Sequence, residues 1–283
     1  MESRTWLITG ASRGMGLEFA RIALQNGQNV VATARKPQAV VDALGEDEHL
    51  LAVSLDVTDL DSIQAAVDAA VERFGGLDIL VNNAGYGIFG ALEETTDAET
   101  RAIYETNVFG PMNVTRAALP HLRASDFARI VNIASMGGYA TDPGGSLYDT
   151  TKFAIVGLTE VLSDELAEFG IQCMAVCPGM IRTNFFDGSS LKRASRTLPE
   201  YEGSAAHAAL DYCLSHNYRQ HGDPVKVAKL VFDVTMSDKM PLWLPVGKEA
   251  MKKLAQKCER MLAETQPYYD ASCDTSYPRP PRT

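Results

Sequence analysis

Several features that mark whole classes of protein are scarce or missing in this sequence. Its five cysteines form no Cys-x-x-Cys pair, which argues against a disulfide framework and predicts reduced thiols. No group of histidines and cysteines has the spacing of a metal site, so no bound metal is expected. No apolar run is long enough to span a bilayer, and the first residues show no basic stretch followed by an apolar core. We therefore expect a cytoplasmic protein without a membrane segment.

Positive charge is also in short supply. The formal net charge is −10, and the basic residues are scattered rather than clustered. Such a surface repels nucleic acid and anionic lipid, so neither is expected as a partner. An anionic ligand would need a local cationic pocket.

The sequence does contain an ordinary share of core-forming residues. Of its 283 residues, 46% are hydrophobic and 22% are charged, as in a typical packed enzyme. No internal repeat and no Gly/Ser or Pro linker divides the chain. Since α/β sheets of this length occur as one unit, a single domain is predicted.

Apolar, β-rich runs alternate with helical patterns along most of the chain. The seven runs are 5–9, 29–33, 50–54, 78–82, 129–134, 171–177 and 242–246. Between them, apolar residues recur at helical spacing, as in 14–26, 59–74 and 148–169. Strands that are apolar on both faces are typical of parallel sheets covered by helices. The sequence predicts an α/β fold, a doubly wound Rossmann domain with a seven-stranded parallel sheet flanked by helices.

The alternation breaks at 184–222, a stretch rich in serine, alanine, histidine and charge that is longer than a compact core requires. We interpret it as a substrate lid. It ends where Asp223 can cap a helix and Pro224 suits the first helical turn. The predicted catalytic domain spans 1–267, and 268–283 is predicted to be a flexible C-terminal tail.

The first predicted strand runs into a glycine-rich turn, and a helical pattern begins at once. Gly10 permits a tight turn, while Gly14 and Gly16 let backbone and helix approach closely. The free N–H groups of the helix start then face an anionic pyrophosphate. A turn that merely needs glycine is the alternative, but the strand before and the helix after favour a dinucleotide site. The predicted contacts of this loop are Gly10, Ser12, Arg13, Gly14, Met15 and Gly16.

The end of the second strand indicates which dinucleotide is bound. NAD enzymes usually place an acidic residue there, whereas this chain reads Thr33-Ala34-Arg35-Lys36. The guanidinium of Arg35, joined by that of Arg13, suits a 2′-phosphate by its charge and its forked donors. NADP(H) is therefore the predicted cofactor, with two solvated surface arginines as the alternative.

Further motifs follow in order over 5–183, and with them the chain resembles the short-subunit branch of the short-chain dehydrogenase/reductase family. The motifs after the glycine turn are Asp56, Asn82-Asn83-Ala84-Gly85, Asn107, Ser135, Tyr148-x-x-x-Lys152 and Pro178-Gly179. The resemblance implies cofactor contacts from Asp56, Val57, Asn83, Ala84, Gly85, Pro178, Gly179, Ile181 and Thr183. One departure is Asp149-Thr150-Thr151, where the family commonly has small residues, and it bears on the shape of the pocket.

Tyr148 and Lys152 lie four apart, on one face of a predicted helix. Positive charge from Lys152 and oxidised nicotinamide should lower the pKa of the Tyr148 phenol, which then exchanges a proton with the substrate. Ser135 ends the fifth predicted strand, where its hydroxyl can bond the substrate oxygen. By resemblance, Asn107 holds a water in a proton relay, and Lys152 also binds the nicotinamide ribose. A buried aromatic, a solvated lysine and a turn serine are the alternatives, but they do not explain the joint spacing.

The predicted function is transfer of a hydride between NADP(H) and a ketone or secondary alcohol, with Tyr148 as general acid/base. A looser resemblance to hydroxysteroid-dehydrogenase-type carbonyl reductases suggests a bulky, apolar substrate. Apolar helices over 101–122 and 148–169, with Ala154, Gly157 and Leu158, predict a homodimer or homotetramer. Two alternatives stay open: a non-catalytic NADP(H)-binding sensor or scaffold, and the epimerases and dehydratases of the larger related branch.

Overall fold

The computed structural model describes residues 2–277, and its centre is a seven-stranded parallel sheet. The strands of this sheet are β1 (Thr5–Ile8), β2 (Asn29–Ala34), β3 (Leu50–Ser54), β4 (Ile79–Asn82), β6 (Arg129–Ile133), β7 (Gln172–Pro178) and β9 (Trp243–Val246). Their order across the sheet is β3-β2-β1-β4-β6-β7-β9. The predicted fold class is confirmed, and the seven predicted strands match within one or two residues.

Alternating residues of each strand enter two separate cores, because successive side chains point to opposite faces of a sheet. In β1, Trp6 and Ile8 join one core, and Leu7 joins the other. In the first core, Trp6 stacks on Phe232, with ring centroids 5.5 Å apart. Burial on both faces explains why the strands read as continuous apolar runs.

Helices cover both faces of the sheet. They are α1 (Gly14–Gln25), α2 (Gln38–Leu44), α3 (Leu60–Phe74), α4 (Asp97–Tyr104), α5 (Gly110–Leu122), α6 (Ser146–Glu165), α7 (Ala205–Ser215), α8 (Pro224–Thr235), α9 (Lys248–Thr265) and α10 (Tyr269–Cys273). Helices α1 and α8 pack on the first core, and α3, α5 and the end of α6 pack on the second. Across residues 2–277, none of the helices has both the length and the apolar character needed to cross a membrane.

The strand order reverses between β1 and β4. The chain leaves β1 toward β2 on one side, whereas β4 pairs with β1 on the other side. In such sheets the loops at the carboxyl ends of the two strands diverge and leave a crevice that binds ligands. The glycine turn follows β1 and the Asn-Asn-Ala-Gly motif follows β4, so both border this crevice.

The helix predicted over 101–122 is interrupted. A π-helical turn, Glu105–Phe109, separates α4 from α5. Its central residue, Asn107, is buried and bonds to residues of other elements, and such long-range bonds are invisible in a local pattern. π-Helical turns are frequent at functional sites.

The segment 184–222 is folded rather than irregular. Its strand β8 (Leu191–Arg193) pairs in parallel with a short strand, β5 (Gly87–Phe89), and α7 follows. Leu191 of β8 and Leu210 of α7 pack on Phe89 of β5. We keep the name lid for 184–222, since it forms one wall of the cavity described below.

A buried carboxyl ties the lid to the body of the protein. Glu94 is 2% exposed and accepts hydrogen bonds from the Leu198 N–H at 2.9 Å and His207 Nε2 at 2.8 Å. The two ends of the lid also meet, because Ile181 and Gly222 form an isolated parallel bridge. As predicted, Asp223 caps the next helix, accepting from the N–H groups of Val225 and Lys226.

Part of the predicted tail has regular structure, since Tyr269–Cys273 forms the short helix α10. The last residues of the predicted tail, 278–283, lie outside the described part of the chain. The flexibility of 268–283 stays a prediction.

Candidate active site

A cavity of about 1060 Å³ opens at the carboxyl ends of the strands, between the sheet and the lid. The sequence-predicted residues that line it are Gly10, Ser12, Arg13, Gly14, Met15, Arg35, Asp56, Val57, Asn83, Ala84, Gly85, Ser135, Tyr148, Lys152, Pro178, Gly179, Ile181 and Thr183. Two predicted residues, Gly16 and Asn107, lie behind this wall instead. The elements that converge here are far apart in sequence, and the parallel sheet brings them together.

The glycine turn has the backbone that the sequence requires of it. Gly10 and Gly14 have φ values of +68° and +60°, which side chains other than glycine rarely adopt. A side chain on Gly16 would clash with the Gly10 carbonyl and with the amide of Asn83. Gly16 therefore serves close packing of α1 on the turn, and the start of α1 is left facing the cavity without a side-chain cap. This cradle fits a pyrophosphate.

The two predicted phosphate ligands lie in different surroundings. Arg35 is exposed at the end of β2, and its charge helps to lower the pKa of Asp56. The main cause of that lowering is the Thr58 N–H, which donates to the Asp56 carboxylate at 2.9 Å. Arg13 reaches the lid instead, where its Nη2 donates to Ser190 Oγ at 2.8 Å and to the Ser189 carbonyl at 3.3 Å.

Ser135 and Tyr148 face each other across the floor of the cavity. The Ser135 Oγ accepts the N–H of Gly137 at 3.0 Å, so its own proton remains available to another acceptor. The Tyr148 ring packs between Phe89 and Phe185, with centroids 5.6 Å from each. Burial raises the pKa of the Tyr148 phenol well above its usual range, although the Ser135 hydroxyl opposes the rise.

Lys152 lies one turn after Tyr148 on α6 and is also buried. Its Nζ donates to the Ile133 carbonyl at 2.8 Å and lies 5.6 Å from the centre of the Tyr148 ring. Burial lowers the pKa of Lys152 to about 8. The protein's own groups therefore raise the phenol's pKa, opposite to the predicted lowering, because burial outweighs an ammonium whose own charge is disfavoured.

Asn107 is held rigidly by the protein. Its Nδ2 donates to the Tyr86 carbonyl at 2.8 Å and to Thr151 Oγ1 at 3.1 Å, and its Oδ1 accepts the Tyr86 N–H at 3.1 Å. Both amide hydrogens are thus occupied. A relay water held by Asn107 would have to bind a carbonyl oxygen, in the side chain or in the main chain.

Sequence reasoning missed much of the wall beyond Tyr148. Its aromatic members are Tyr86, Phe89, Phe185, Phe186 and Tyr212, and its charged members include Asp142, Glu249 and Lys253. Phe185 and Phe186 follow the Pro178-Gly179 motif closely enough for proximity to have been inferred. Tyr212, Glu249 and Lys253 carry no local signal, because only the folding of the lid and α9 brings them to the cavity.

A glycine turn at the start of a helix, with a half-buried serine and tyrosine and a buried lysine in the same cavity, is typical of α/β oxidoreductases. The chain belongs to the short chain dehydrogenase family, whose profile matches residues 4–194. A related protein, "Oxidoreductase BOA17" of Botryotinia fuckeliana, is 35% identical over 272 residues, which cover 95% of this chain and 98% of that protein. The narrower resemblance to hydroxysteroid-type reductases stays a prediction.

Solved structures agree with this assignment. A short-chain dehydrogenase from Streptomyces avermitilis is 36% identical, with a TM-score of 0.88 over 97% of this chain and 99% of that one. ElxO with NADP bound is 29% identical, with a TM-score of 0.70 over 86% and 96% of the two chains. A 3-ketoacyl-(acyl-carrier-protein) reductase from Brucella melitensis, complexed with NADH, is 26% identical, with a TM-score of 0.71 over the same shares. A nicotinamide cofactor is thus supported for this chain.

Proposed function

We propose that this protein is an NADP(H)-dependent reductase of ketones, or a dehydrogenase of the corresponding secondary alcohols. The observation that carries the proposal is the meeting of Ser135, Tyr148 and Lys152 in the cavity that the glycine turn borders. Packing alone would not favour this meeting, because placing the half-buried Tyr148 and the buried Lys152 there disfavours the charged form of each and costs free energy.

Tyr148 is the general acid in this proposal. Because burial raises the pKa of its phenol, Tyr148 keeps its proton at neutral pH and can donate it to a carbonyl oxygen that gains charge. Ser135 donates a second hydrogen bond to the same oxygen and stabilises the developing charge. When bound, the nicotinamide supplies or accepts the hydride, and its oxidised ring adds a positive charge to the cavity.

Lys152 has two proposed tasks. Its ammonium lies close enough to the phenol to favour the phenolate that remains after proton donation. Its remaining donors can bond the ribose hydroxyls of the cofactor. Re-protonation of Tyr148 would follow through Lys152 and a water at a carbonyl oxygen of Asn107, since the amide hydrogens of Asn107 are already used.

The preference for NADP(H) is proposed from charge. Arg13 and Arg35 border the cavity, and β2 ends without an acidic residue that would bond a ribose 2′-hydroxyl. Asp56 follows β3 instead, and its Oδ1 accepts hydrogen bonds from the N–H and hydroxyl of Thr58. A 2′-phosphate would find two guanidinium groups within reach of one edge of the cavity.

The proposed assembly is a homodimer or homotetramer that uses one face of α6. Phe153 and Val161 are 38% and 53% exposed on that face. Gly157, between them, has nothing within 4 Å of the position that a Cβ would take. Because exposed apolar side chains flank a glycine on this face of α6, a second helix can approach it closely.

The test is a panel of ketones with NADPH, followed at the nicotinamide absorbance band in the native enzyme and in Tyr148→Phe. We expect Tyr148→Phe to lower kcat by about a hundred- to ten-thousand-fold while NADPH affinity stays within a few-fold, since only the transferable proton is lost. Lys152→Met should lower both kcat and the affinity for NADPH. A Tyr148→Phe enzyme with near-normal kcat would contradict the mechanism, and a folded protein that binds NADPH but reduces no ketone would favour a sensor.

A further inference from the structure

One polar part of the cavity takes no part in the proposed reaction. Asp149, which directly follows Tyr148 in the first turn of α6, lines the cavity and is 6% exposed. A carboxyl so deeply buried beside the proton donor needs a reason, because burying an ionisable group costs free energy.

The hydrogen bonds of Asp149 within the protein do not explain why a carboxyl is buried there. Its Oδ2 accepts the Asp142 N–H at 3.1 Å, and its Oδ1 lies against the main chain of Gly137. Among residues 2–277, no other hydrogen bond reaches either oxygen of this carboxyl. An asparagine would accept the same N–H without any cost of ionisation, so holding the loop at Asp142 does not require an acid.

Burial also leaves this carboxyl poised between its two charge states. It raises the pKa of Asp149 to about 7, against the Asp142 N–H bond, which favours the ionised form. A hydrogen-bond donor that enters the cavity would stabilise the carboxylate and recover part of the cost of burial. The Asp149 carboxyl is therefore suited to a ligand that binds reversibly.

The charged groups around Asp149 favour donors over anions. From the loop before α6 comes Asp142, which forms an ion pair with Lys253 of α9. Glu249 lies one turn earlier on α9, and Cys213 of α7 faces the same space with a thiol whose pKa is raised by burial. Because Asp142 and Lys253 balance each other, Asp149 itself supplies the unbalanced negative charge in this part of the cavity, in contrast to the arginines at the nucleotide edge.

We propose that Asp149 is a specificity-determining residue, which accepts a hydrogen bond from a hydroxyl or amino group carried by the substrate near its carbonyl carbon. The proximity follows from the structure, because Asp149 Oδ1 and Ser135 Oγ both lie within 3.5 Å of the point that a Cβ on Gly137 would occupy, and both residues line the cavity. The substrate class is thus hydroxy- and amino-ketones with an apolar remainder that fits against Phe89 and Phe185. This inference rests on the proposed function and deepens it.

The experiment compares four ketones of equal length with NADPH: 2-octanone, 1-hydroxy-2-octanone, 1-amino-2-octanone and 2-oxooctanoate. In the native enzyme we expect kcat/KM for the hydroxy- and amino-ketones to exceed that for 2-octanone by about ten-fold or more, as a hydrogen bond to a charged group provides. The anionic 2-oxooctanoate should be the poorest of the four. In Asp149→Asn, the ratio of kcat/KM for the amino-ketone to that for 2-octanone should fall to about one.

The matched control is Asp164→Asn, the same exchange at an exposed position of the same helix, which should change none of the four values. NADPH binding, followed by fluorescence, reports whether each variant is folded. Should Asp149→Asn fail to fold, the ranking of the four ketones by the native enzyme decides the question.

Two results would overturn the inference while leaving the proposed function intact. One is an equal kcat/KM for 2-octanone and both substituted ketones in the native enzyme. The other is a parallel loss for every ketone in Asp149→Asn, which would assign the residue to positioning of the loop. If NADPH binds and no ketone is reduced, the proposed function and the inference fail together.

Discussion

Arg13 of the glycine turn is bonded to Ser190 of the lid, with its Nη2 donating to the serine Oγ at 2.8 Å. The side chain expected to bind the phosphate of the cofactor therefore also forms a hydrogen bond that holds the lid in place. A guanidinium has a limited set of donors, so a phosphate and the serines compete for it. Cofactor binding and lid position are therefore expected to be coupled.

This coupling predicts a difference between the two nicotinamide cofactors. NADPH, which carries the 2′-phosphate, should change amide exchange around Ser189 and Ser190 more than NADH does. Hydrogen exchange read by mass spectrometry measures this. Arg13→Ala should abolish the difference. Identical exchange with both cofactors in the native protein would contradict the coupling, and exchange as slow as in the sheet under all conditions would show that 184–222 is no lid.

Cofactor choice should follow Arg35. In Arg35→Asp, the lost phosphate partner and the added negative charge should reduce NADPH affinity by about ten- to a hundred-fold, corresponding to roughly 1.5–3 kcal/mol. NADH affinity should be maintained or improve. Titration by fluorescence with both cofactors checks this, and Lys36→Asp is the neighbouring control. Equal efficiency with NADPH and NADH in the native enzyme would refute the cofactor assignment.

The two directions of the reaction should differ in their pH dependence. Burial raises the pKa of the Tyr148 phenol, so the proton donor needed for ketone reduction is present throughout the neutral range. Alcohol oxidation needs the phenolate and should accelerate as the pH rises from 7 to 10. Initial rates in both directions, across that range and with saturating cofactor, measure the effect. An oxidation rate that falls over the range would exclude Tyr148 as the base.

Asp149 should also leave a signature in stability. Its pKa of about 7 in the folded protein lies above the ordinary value of about 4. The folded state therefore binds more protons than the unfolded state between these pH values, and stability falls as the pH rises through them. Asp149→Asn should gain stability at pH 8, by at most about 4 kcal/mol, and gain none below pH 4. Urea unfolding at fixed protein concentration tests this, with Asp164→Asn as the control.

Assembly should depend on the exposed face of α6. Val161→Asp introduces a charge on this face, one turn after Gly157, where burial between two subunits would be costly. We expect the variant to dissociate to the 30.7 kDa monomer, whereas Val161→Ala keeps the native assembly. Light scattering at micromolar concentration gives the mass. A monomeric native protein would rule out the proposed assembly.

The sheet and most of the cavity could be predicted because their signals are local. Each strand reads as an apolar run, and the spacing of Tyr148 and Lys152 is set by one turn of a helix. The pairing of β5 with β8 joins three-residue strands about a hundred residues apart, so no local pattern contains it. The π-helical turn was missed for the same reason, since bonds from Asn107 to Tyr86 and Thr151 accompany it.

The sequence also could not predict the charge states of the ionisable groups in the cavity. The lysine beside Tyr148 pointed to a lowered phenol pKa, whereas the packing of Phe89 and Phe185 around the ring raises it. The unusual residue after Tyr148 was visible as a departure from the family. Its carboxyl lines the cavity and accepts one hydrogen bond within residues 2–277, and both features depend on the fold of the loop that ends at Gly145.

The bridge between Ile181 and Gly222 makes the lid a segment that could be exchanged for another. Because its two ends are already side by side, a different segment inserted there would close a loop whose entropy depends only weakly on length. The order of the sheet would be kept, but the incoming segment would have to replace the contacts of Phe185 with Tyr148 and of Ser190 with Arg13. Chimeras that swap 184–222 between relatives would therefore measure how far this one contiguous segment sets the choice of substrate.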